Sequence, residues 1–113
     1  MTPLTVDLSL SGPRSDTAIN VAAAAKGIDG PLRLTVQLPT GVTLLGAAGD
    51  WRSCTQSQGL VTCTAPAAAG GRWSGTIDTV WAVDAQGRVS ATVEGTYDNG
   101  SPAAGSVGTT WPP

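Results

Sequence analysis

PLRLTVQLP, residues 31–39, alternates apolar and polar side chains with a period of two. Successive side chains of an extended strand point to opposite faces, so the apolar members of this segment would share one face. A helix would distribute the same positions over two sides of its surface. The segment therefore predicts a β-strand with one buried face, ended by a turn at the Pro-Thr-Gly sequence of residues 39–41. The inward residues are Leu32, Leu34, Val36 and Leu38.

The same alternation recurs on both sides of this segment. Residues 3–13, PLTVDLSLSGP, and residues 87–97, GRVSATVEGTY, carry small or apolar side chains at alternate positions and are followed by turn-forming residues. Residues 73–83, WSGTIDTVWAV, are partly apolar on both faces, which predicts a central strand. Residues 84–87 are expected to form a hairpin turn. The tail, residues 105–113, is expected to add one edge strand before its prolines stop it.

Residues 16–27, DTAINVAAAAKG, leave two interpretations open. Four consecutive alanines favour a helix, whereas the alternation of Ile19, Val21, Ala23 and Ala25 favours a strand. A helix here would have no amphipathic stripe, so we interpret the segment as a strand. A short strand is also expected at residues 42–44, after the turn.

These segments predict an all-β fold of one domain, residues 1–113. The composition is 41% hydrophobic and 12% charged, which is far from the signature of disorder. Turn signals every 8 to 12 residues or so are typical of a sandwich or barrel. We therefore predict an immunoglobulin-like antiparallel β-sandwich of about seven strands.

The two cysteines, Cys54 and Cys63, have the spacing of a hairpin with a turn at Gln58-Gly59. Paired strands would bring the two side chains within reach of a disulfide, which we expect to contribute about 2–3 kcal/mol. Two buried free thiols are the alternative. A zinc site is disfavoured because the chain has no histidine and no further thiol. A disulfide favours a compartment outside the cytoplasm.

The charge pattern and the termini limit the partners and the setting. Six basic and eight acidic residues are spread without runs, so nucleic acid is not an expected partner. No segment has the apolar length of a membrane span, and residues 1–20 do not resemble a signal peptide. We therefore expect the domain to be part of a longer secreted or membrane-anchored protein.

Residues 34–100 resemble the conserved-repeat domain of bacterial surface proteins, an immunoglobulin-like module of unknown function. The resemblance lies in the order of five segments: LTVQLPTGVTLL (34–45), DWRSC (50–54), GLVTCT (59–64), TIDTVWAV (76–83) and GRVSATVEGTYDNG (87–100). The match fades after the last turn, where Ser-Pro-Ala stands at residues 101–103 in place of paired asparagines. The resemblance implies a stalk, spacer, adhesive or sensory module of an envelope protein, which includes the external domain of a membrane-anchored regulator.

The sequence offers little for catalysis. Without histidine, a serine or cysteine nucleophile lacks its commonest base, and no pair of carboxylates is set up for glycosidase chemistry. No phosphate-binding loop is present, and the Asp-Asn-Gly of residues 98–100 is better interpreted as a turn than as a calcium loop. We therefore predict no enzymatic activity, no metal and no cofactor.

Two hypotheses assign a role to particular side chains. The first is an intramolecular isopeptide bond from Lys26 to Asn99 with Glu94 as the proton shuttle, which requires a buried lysine. A solvated lysine at a turn is the simpler interpretation of Lys26.

The second hypothesis concerns the four tryptophans. Trp73 and Trp81 share a face of one strand, and we expect at least one of them in the core. Trp51 and Trp111 are the candidates for exposure and ligand binding, because exposed indole rings can stack on sugars. The leading prediction is a non-catalytic extracytoplasmic module, a stalk, adhesion or sensor domain of an envelope protein, with protein or cell-wall glycan as the partner. The alternative is a carbohydrate-binding module that uses exposed tryptophans.

Overall fold

The structure, a computed structural model, describes residues 4–67 and 70–111. Within these ranges, a three-residue 3₁₀ helix, Arg14–Asp16, separates the first two strands. The strands in chain order are β1 (Thr5–Ser11), β2 (Thr17–Ala24), β3 (Leu32–Gln37), β4 (Val42–Gly49), β5 (Arg52–Ser57), β6 (Leu60–Ala65), β7 (Arg72–Trp81), β8 (Gly87–Thr96) and β9 (Pro102–Trp111). Residues 68–69 and the two prolines expected to stop the last strand lie outside the described residues.

The strands form two antiparallel sheets packed as an immunoglobulin-like sandwich, which confirms the predicted fold class. One sheet has the order β1-β2-β7-β4, and the other has the order β5-β6-β3-β8-β9. The described residues hold nine strands rather than about seven. The short segment expected at residues 42–44 and the tail both form full strands, of 8 and 10 residues, and account for the difference.

The alanine-rich segment is a strand, as the alternation predicted. Ile19, Val21 and Ala23 of β2 are buried, and the residues between them face outward. Ala23 lies opposite Trp73 of β7, so a small side chain stands beside a large one on the inner face. This pairing of sizes explains why alanine is suited to an interior position of the sheet.

The connection at residues 84–87 is not a hairpin turn. The strand before it, β7, lies between β2 and β4 in the four-stranded sheet, which confirms that β7 is central. The strand after it, β8, belongs to the other sheet. The connection therefore passes from one sheet to the other, and its residue Ala85 is buried. A polar loop with glycine has the same kind of sequence in a hairpin turn and in a crossing between sheets, because the local sequence does not specify the partner of the next strand.

The cysteine hairpin forms as predicted, with a disulfide between Cys54 and Cys63. Gln58 and Gly59, at φ of 52° and 78°, make the turn between β5 and β6. This left-handed pair is the conformation of the tight turns that match the twist of a hairpin. One additional residue in β5, Ser53 at φ 55°, forms a bulge opposite the disulfide.

The side of the sandwich between the edge strands β4 and β5 is closed by the side chain of Gln56. Its amide nitrogen donates to the Val42 carbonyl at 2.8 Å, and its amide oxygen accepts from the Leu44 N–H at 2.8 Å. Both backbone groups are at the edge of the four-stranded sheet, where β4 has no further strand in its sheet order. The Gln56 amide thus occupies hydrogen-bonding positions of a neighbouring strand.

The opposite side of the sandwich is closed by a near contact between β1 and β9. A Cβ atom on Gly105 would lie 2.6 Å from the Leu4 carbonyl oxygen, so any larger residue would push the two strands apart.

The first and last strands, β1 and β9, also run in the same direction. Thr5 pairs with Ala24, next to the β2–β3 connection, whereas Trp111 pairs with Gly87, next to the β7–β8 connection. The chain thus enters β1 at one end of the sandwich and leaves β9 at the other.

Replacing Gln56 by alanine is expected to lower the free energy of unfolding by about 1–2 kcal/mol, because two partly buried backbone groups lose their partners. Urea denaturation followed by circular dichroism measures the change. Thr55→Ala on the same strand is the matched control, since Thr55 is exposed, and should change stability by less than about 0.5 kcal/mol. Equal effects of the two substitutions would contradict the closing role of Gln56.

Candidate binding groove

The prediction that Trp51 is exposed is wrong. Trp51 is 1% exposed and is the largest of the fully buried side chains. Its indole N–H donates to the Val21 carbonyl at 3.0 Å. The ring lies against Gly75, where an added Cβ would approach the indole to 2.8 Å. Burial occurs because the chain crosses from β4 to β5 at this point, so the residue between the two strands points into the space between the sheets.

The other three tryptophans do not lie together on one surface to which a ligand could bind. Trp73 and Trp81 are both in the core, at 2% and 3% exposed, which confirms and extends the expectation for that strand. Trp111 is half-buried and packs partly against the core. It ends β9, at the opposite end of the sandwich from Trp51. Trp51 and Trp111 therefore do not form one stacking surface, and a ligand-binding role for Trp111 alone stays a prediction.

The three residues of the isopeptide hypothesis do not meet its requirement. Lys26, Glu94 and Asn99 are all exposed, whereas the reaction needs a buried lysine. The structure does bring the turns that carry Lys26 and Asn99 to the same end of the sandwich, because the Asp98 N–H donates to the Gly27 carbonyl at 2.7 Å. The solvated turn lysine is the interpretation that fits, since Lys26 immediately precedes Gly27 at φ 77°.

Residues 4–67 and 70–111 contain no group of three or more metal-ligating side chains from His, Cys, Asp and Glu that could hold an ion. The same part of the chain has no helix with the length and hydropathy needed to cross a bilayer.

The outer face of the four-stranded sheet carries a groove along β2. Two depressions of about 340 Å³ each lie end to end on this face and share Asp7, Ala22 and Ser74. A third, of about 200 Å³, continues from the second and shares Thr5, Ala24 and Arg72 with it. We call the three together the β2 groove.

The register of the strands explains why a groove forms there. Three rows of side chains cross the sheet, each with one residue from β1, one from β2 and one from β7. The rows are Ser9–Asn20–Thr76, Asp7–Ala22–Ser74 and Thr5–Ala24–Arg72. In two of the rows β2 contributes only a methyl group, while both neighbours contribute longer side chains. The alanines therefore form a floor one strand wide between two polar walls.

The charges of the β2 groove are arranged along its length. Arg72 and Lys26 lie together at one end, in the third depression. The Asp7 carboxylate lies in the middle, where the first two depressions meet. At the other end the Thr76 hydroxyl donates to the Asn20 side-chain oxygen at 2.8 Å, which fixes the orientation of the Asn20 amide. The groove thus presents cations, a carboxylate and an amide in that order.

Sequence reasoning missed these residues. The only signal was the alternation in the alanine run, which places Ala22 and Ala24 on the face opposite the core. Nothing local links β2 to β7, about 50 residues further along the chain, so the polar wall on that side could not be inferred from one sequence.

No protein-family model matches the chain, and no curated protein matches it. Solved structures do match, at low identity. The major pilin subunit BcpA of Bacillus cereus superimposes with a TM-score of 0.68 at 11% identity, over 95% of this chain and 39% of the pilin. The collagen-binding subdomain ACE19 of the Enterococcus faecalis surface protein ACE gives 0.62 at 6% identity, over 96% and 94%. The ChBD2 structure from Thermococcus kodakarensis gives 0.62 at 13% identity, over 94% and 98%.

These similarities establish the fold class. The chain spans about two fifths of the length of the pilin subunit. Pilin and surface-protein domains with immunoglobulin-like folds are thus among the structures that this chain is similar to. The identities are too low for any residue role to be transferred from them.

Replacing Trp51 by alanine is expected to lower the free energy of unfolding by about 3–5 kcal/mol, since a large cavity opens between the sheets. The matched control is Trp111→Ala, for which we expect a loss of about 1 kcal/mol because the ring is only half-buried. Chemical denaturation of both variants gives the comparison. Similar losses for both, or a larger loss at Trp111, would contradict the placement of Trp51 as the buried anchor.

Proposed function

We propose that the chain is a non-catalytic spacer and adhesion module of a bacterial cell-envelope protein, located outside the cytoplasm. The observation that carries the proposal is the path of the chain, which enters β1 at one end of the sandwich and leaves β9 at the other. The domain extends 46 Å along one axis and 23 and 22 Å across it. Ten-residue strands are about 33 Å long, so this long axis runs along the strands.

A module connected in this way can transmit tension along a chain of domains. A force applied between the ends would shear β1 against β2 and β9 against β8. Seven residue pairs of the first ladder and ten of the second would share the load. Sheared strands resist better than strands that are unzipped, because many hydrogen bonds must break at once. Resistance to shear between the two ends favours a stalk or adhesive role over the sensory role that the sequence also allowed.

Three further observations support the location and the absence of catalysis. The Cys54–Cys63 disulfide suits an oxidising compartment. The fold is similar to pilin and surface-protein domains, and the resemblance of residues 34–100 to the conserved-repeat domain points to the same class. The candidate nucleophiles have no histidine beside them, because the sequence contains none. Binding of sugars through exposed tryptophans loses one of its two candidate rings, because Trp51 is buried.

Pulling the domain from its two ends in single-molecule force spectroscopy should give an unfolding force several times higher than an unzipping geometry gives. The unzipping control attaches one handle to Asp84→Cys and the other to the C-terminal end. Asp84 and Trp111 lie at the same end of the sandwich, so this pull peels β9 from β8 one pair at a time. Equal forces in the two geometries would refute the proposed load-bearing role.

The length of the unfolded chain in the same force measurement shows whether the disulfide is present in the native protein. With the bond intact, the nine-residue separation between Cys54 and Cys63 cannot extend. Adding a reducing agent should therefore lengthen the unfolded chain by about 26–28 Å, since nine extended residues at about 3.3–3.6 Å each replace the 4.2 Å between the two Cα atoms of the disulfide. An unchanged length would mean that the thiols are free in the protein, and the oxidising location would lose its support.

A further inference from the structure

The dimensions of the β2 groove select the shape of a ligand. Its floor is one strand wide, because the polar walls come from the strands on either side of β2. Neighbouring strands are about 4.8 Å apart, so the walls stand about 10 Å apart at the backbone and closer at the side chains. A single extended polymer fits this width, whereas a helix with its side chains, about 10–12 Å across, does not.

The spacing along the β2 groove matches a polypeptide. Its three rows follow each other at every second residue of β2, which is about 6.6 Å per step. An extended peptide repeats its side-chain direction with the same two-residue period. A peptide lying along β2 would therefore direct every second side chain into one row of the groove, with no accumulating mismatch over the three rows.

The charges of the β2 groove select the side chains of that peptide. The row of Arg72, with Lys26 beside it, suits an acidic side chain. The row of Asp7 suits a basic side chain. The row of Asn20 suits a side chain that forms hydrogen bonds, since the Asn20 amide is already oriented by Thr76. Among the described residues that line the groove, Trp73 is the one aromatic residue, and its side chain is in the core, so a sugar ring would find no stacking surface.

We propose that the β2 groove binds an extended peptide segment in which acidic, basic and amide side chains occupy alternate positions. The inference rests on the adhesive role proposed above and names its ligand class. The peptide lies on the face of the sheet rather than at an edge, so its side chains, not its backbone, determine recognition. Binding is weak for one segment, because exposed ion pairs each contribute little and are screened by salt.

The first test uses a synthetic probe, acetyl-Ser-Glu-Ser-Lys-Ser-Asn-Ser-amide, titrated into the isotope-labelled domain and followed by NMR. Amide shifts should change in β1, β2 and β7, and the outer face of the five-stranded sheet should stay unchanged. The matched control peptide exchanges Glu and Lys. We expect it to bind roughly three to ten times more weakly at low salt, with the difference reduced at high salt.

Two variants locate the site. Ala22→Leu raises the floor of the β2 groove and should abolish the shift changes, while Ala104→Leu, on the exposed outer face of the other sheet, should leave them intact. The double variant Asp7→Arg with Arg72→Asp reverses the two charges and should prefer the exchanged peptide. The circular dichroism spectrum and melting temperature of each variant establish that it is folded.

Several outcomes would overturn the proposal. One is equal binding of the two peptides at low salt. Another is that the shift changes survive Ala22→Leu. The third is that the amide shifts of the groove respond to an oligomer of N-acetylglucosamine but not to the first peptide. None of these results affects the force measurements on the end-to-end geometry. A high shear force without peptide binding would contradict the groove proposal and support the spacer role. Specific peptide binding with a low shear force would support the groove proposal and contradict the spacer role.

Discussion

The register of β2 between β1 and β7 is the constraint on which the rest of the structure depends. Because side chains alternate along a strand, a shift of one residue would exchange the two faces of β2. In the observed register, Ile19, Val21 and Ala23 fill the core, and Ala22 and Ala24, on the opposite face of β2, form the floor of the groove. The hydrophobic free energy of packing the sheets therefore also determines which residues the surface presents.

The crossing from β4 to β5 connects the four-stranded sheet to the five-stranded sheet. Gly49 passes so close to Gly75 that a Cβ atom on it would lie 2.7 Å from the Gly75 Cα. The chain is held there by two hydrogen bonds between Asp50 and Ser74. Trp51 can then enter the core and reach the Val21 carbonyl of β2. The buried tryptophan thus anchors the corner to the strand that also carries the groove.

Much of the fold could be predicted from the alternation alone, since period-two patterns report which face of each strand is buried. The Gln58-Gly59 turn and the Cys54–Cys63 pairing could also be predicted, because a short hairpin determines its own register. The partners of distant strands could not be predicted, so the local sequence of residues 84–87 indicates a hairpin where the structure has a crossing between the sheets. The burial of Trp51 depends on a contact with Gly75, and the groove depends on β7, and neither relation is visible in a single sequence.

Inter-strand nuclear Overhauser effects across β2 test this account most directly. The account predicts backbone contacts between Val21 and Gly75 and between Ala23 and Trp73, together with extended-chain connectivities through the alanine run. Contacts displaced by one residue, or the i to i+3 contacts of a helix over residues 22–25, would contradict it. Either result would remove the groove floor and the packing of the two sheets at the same time.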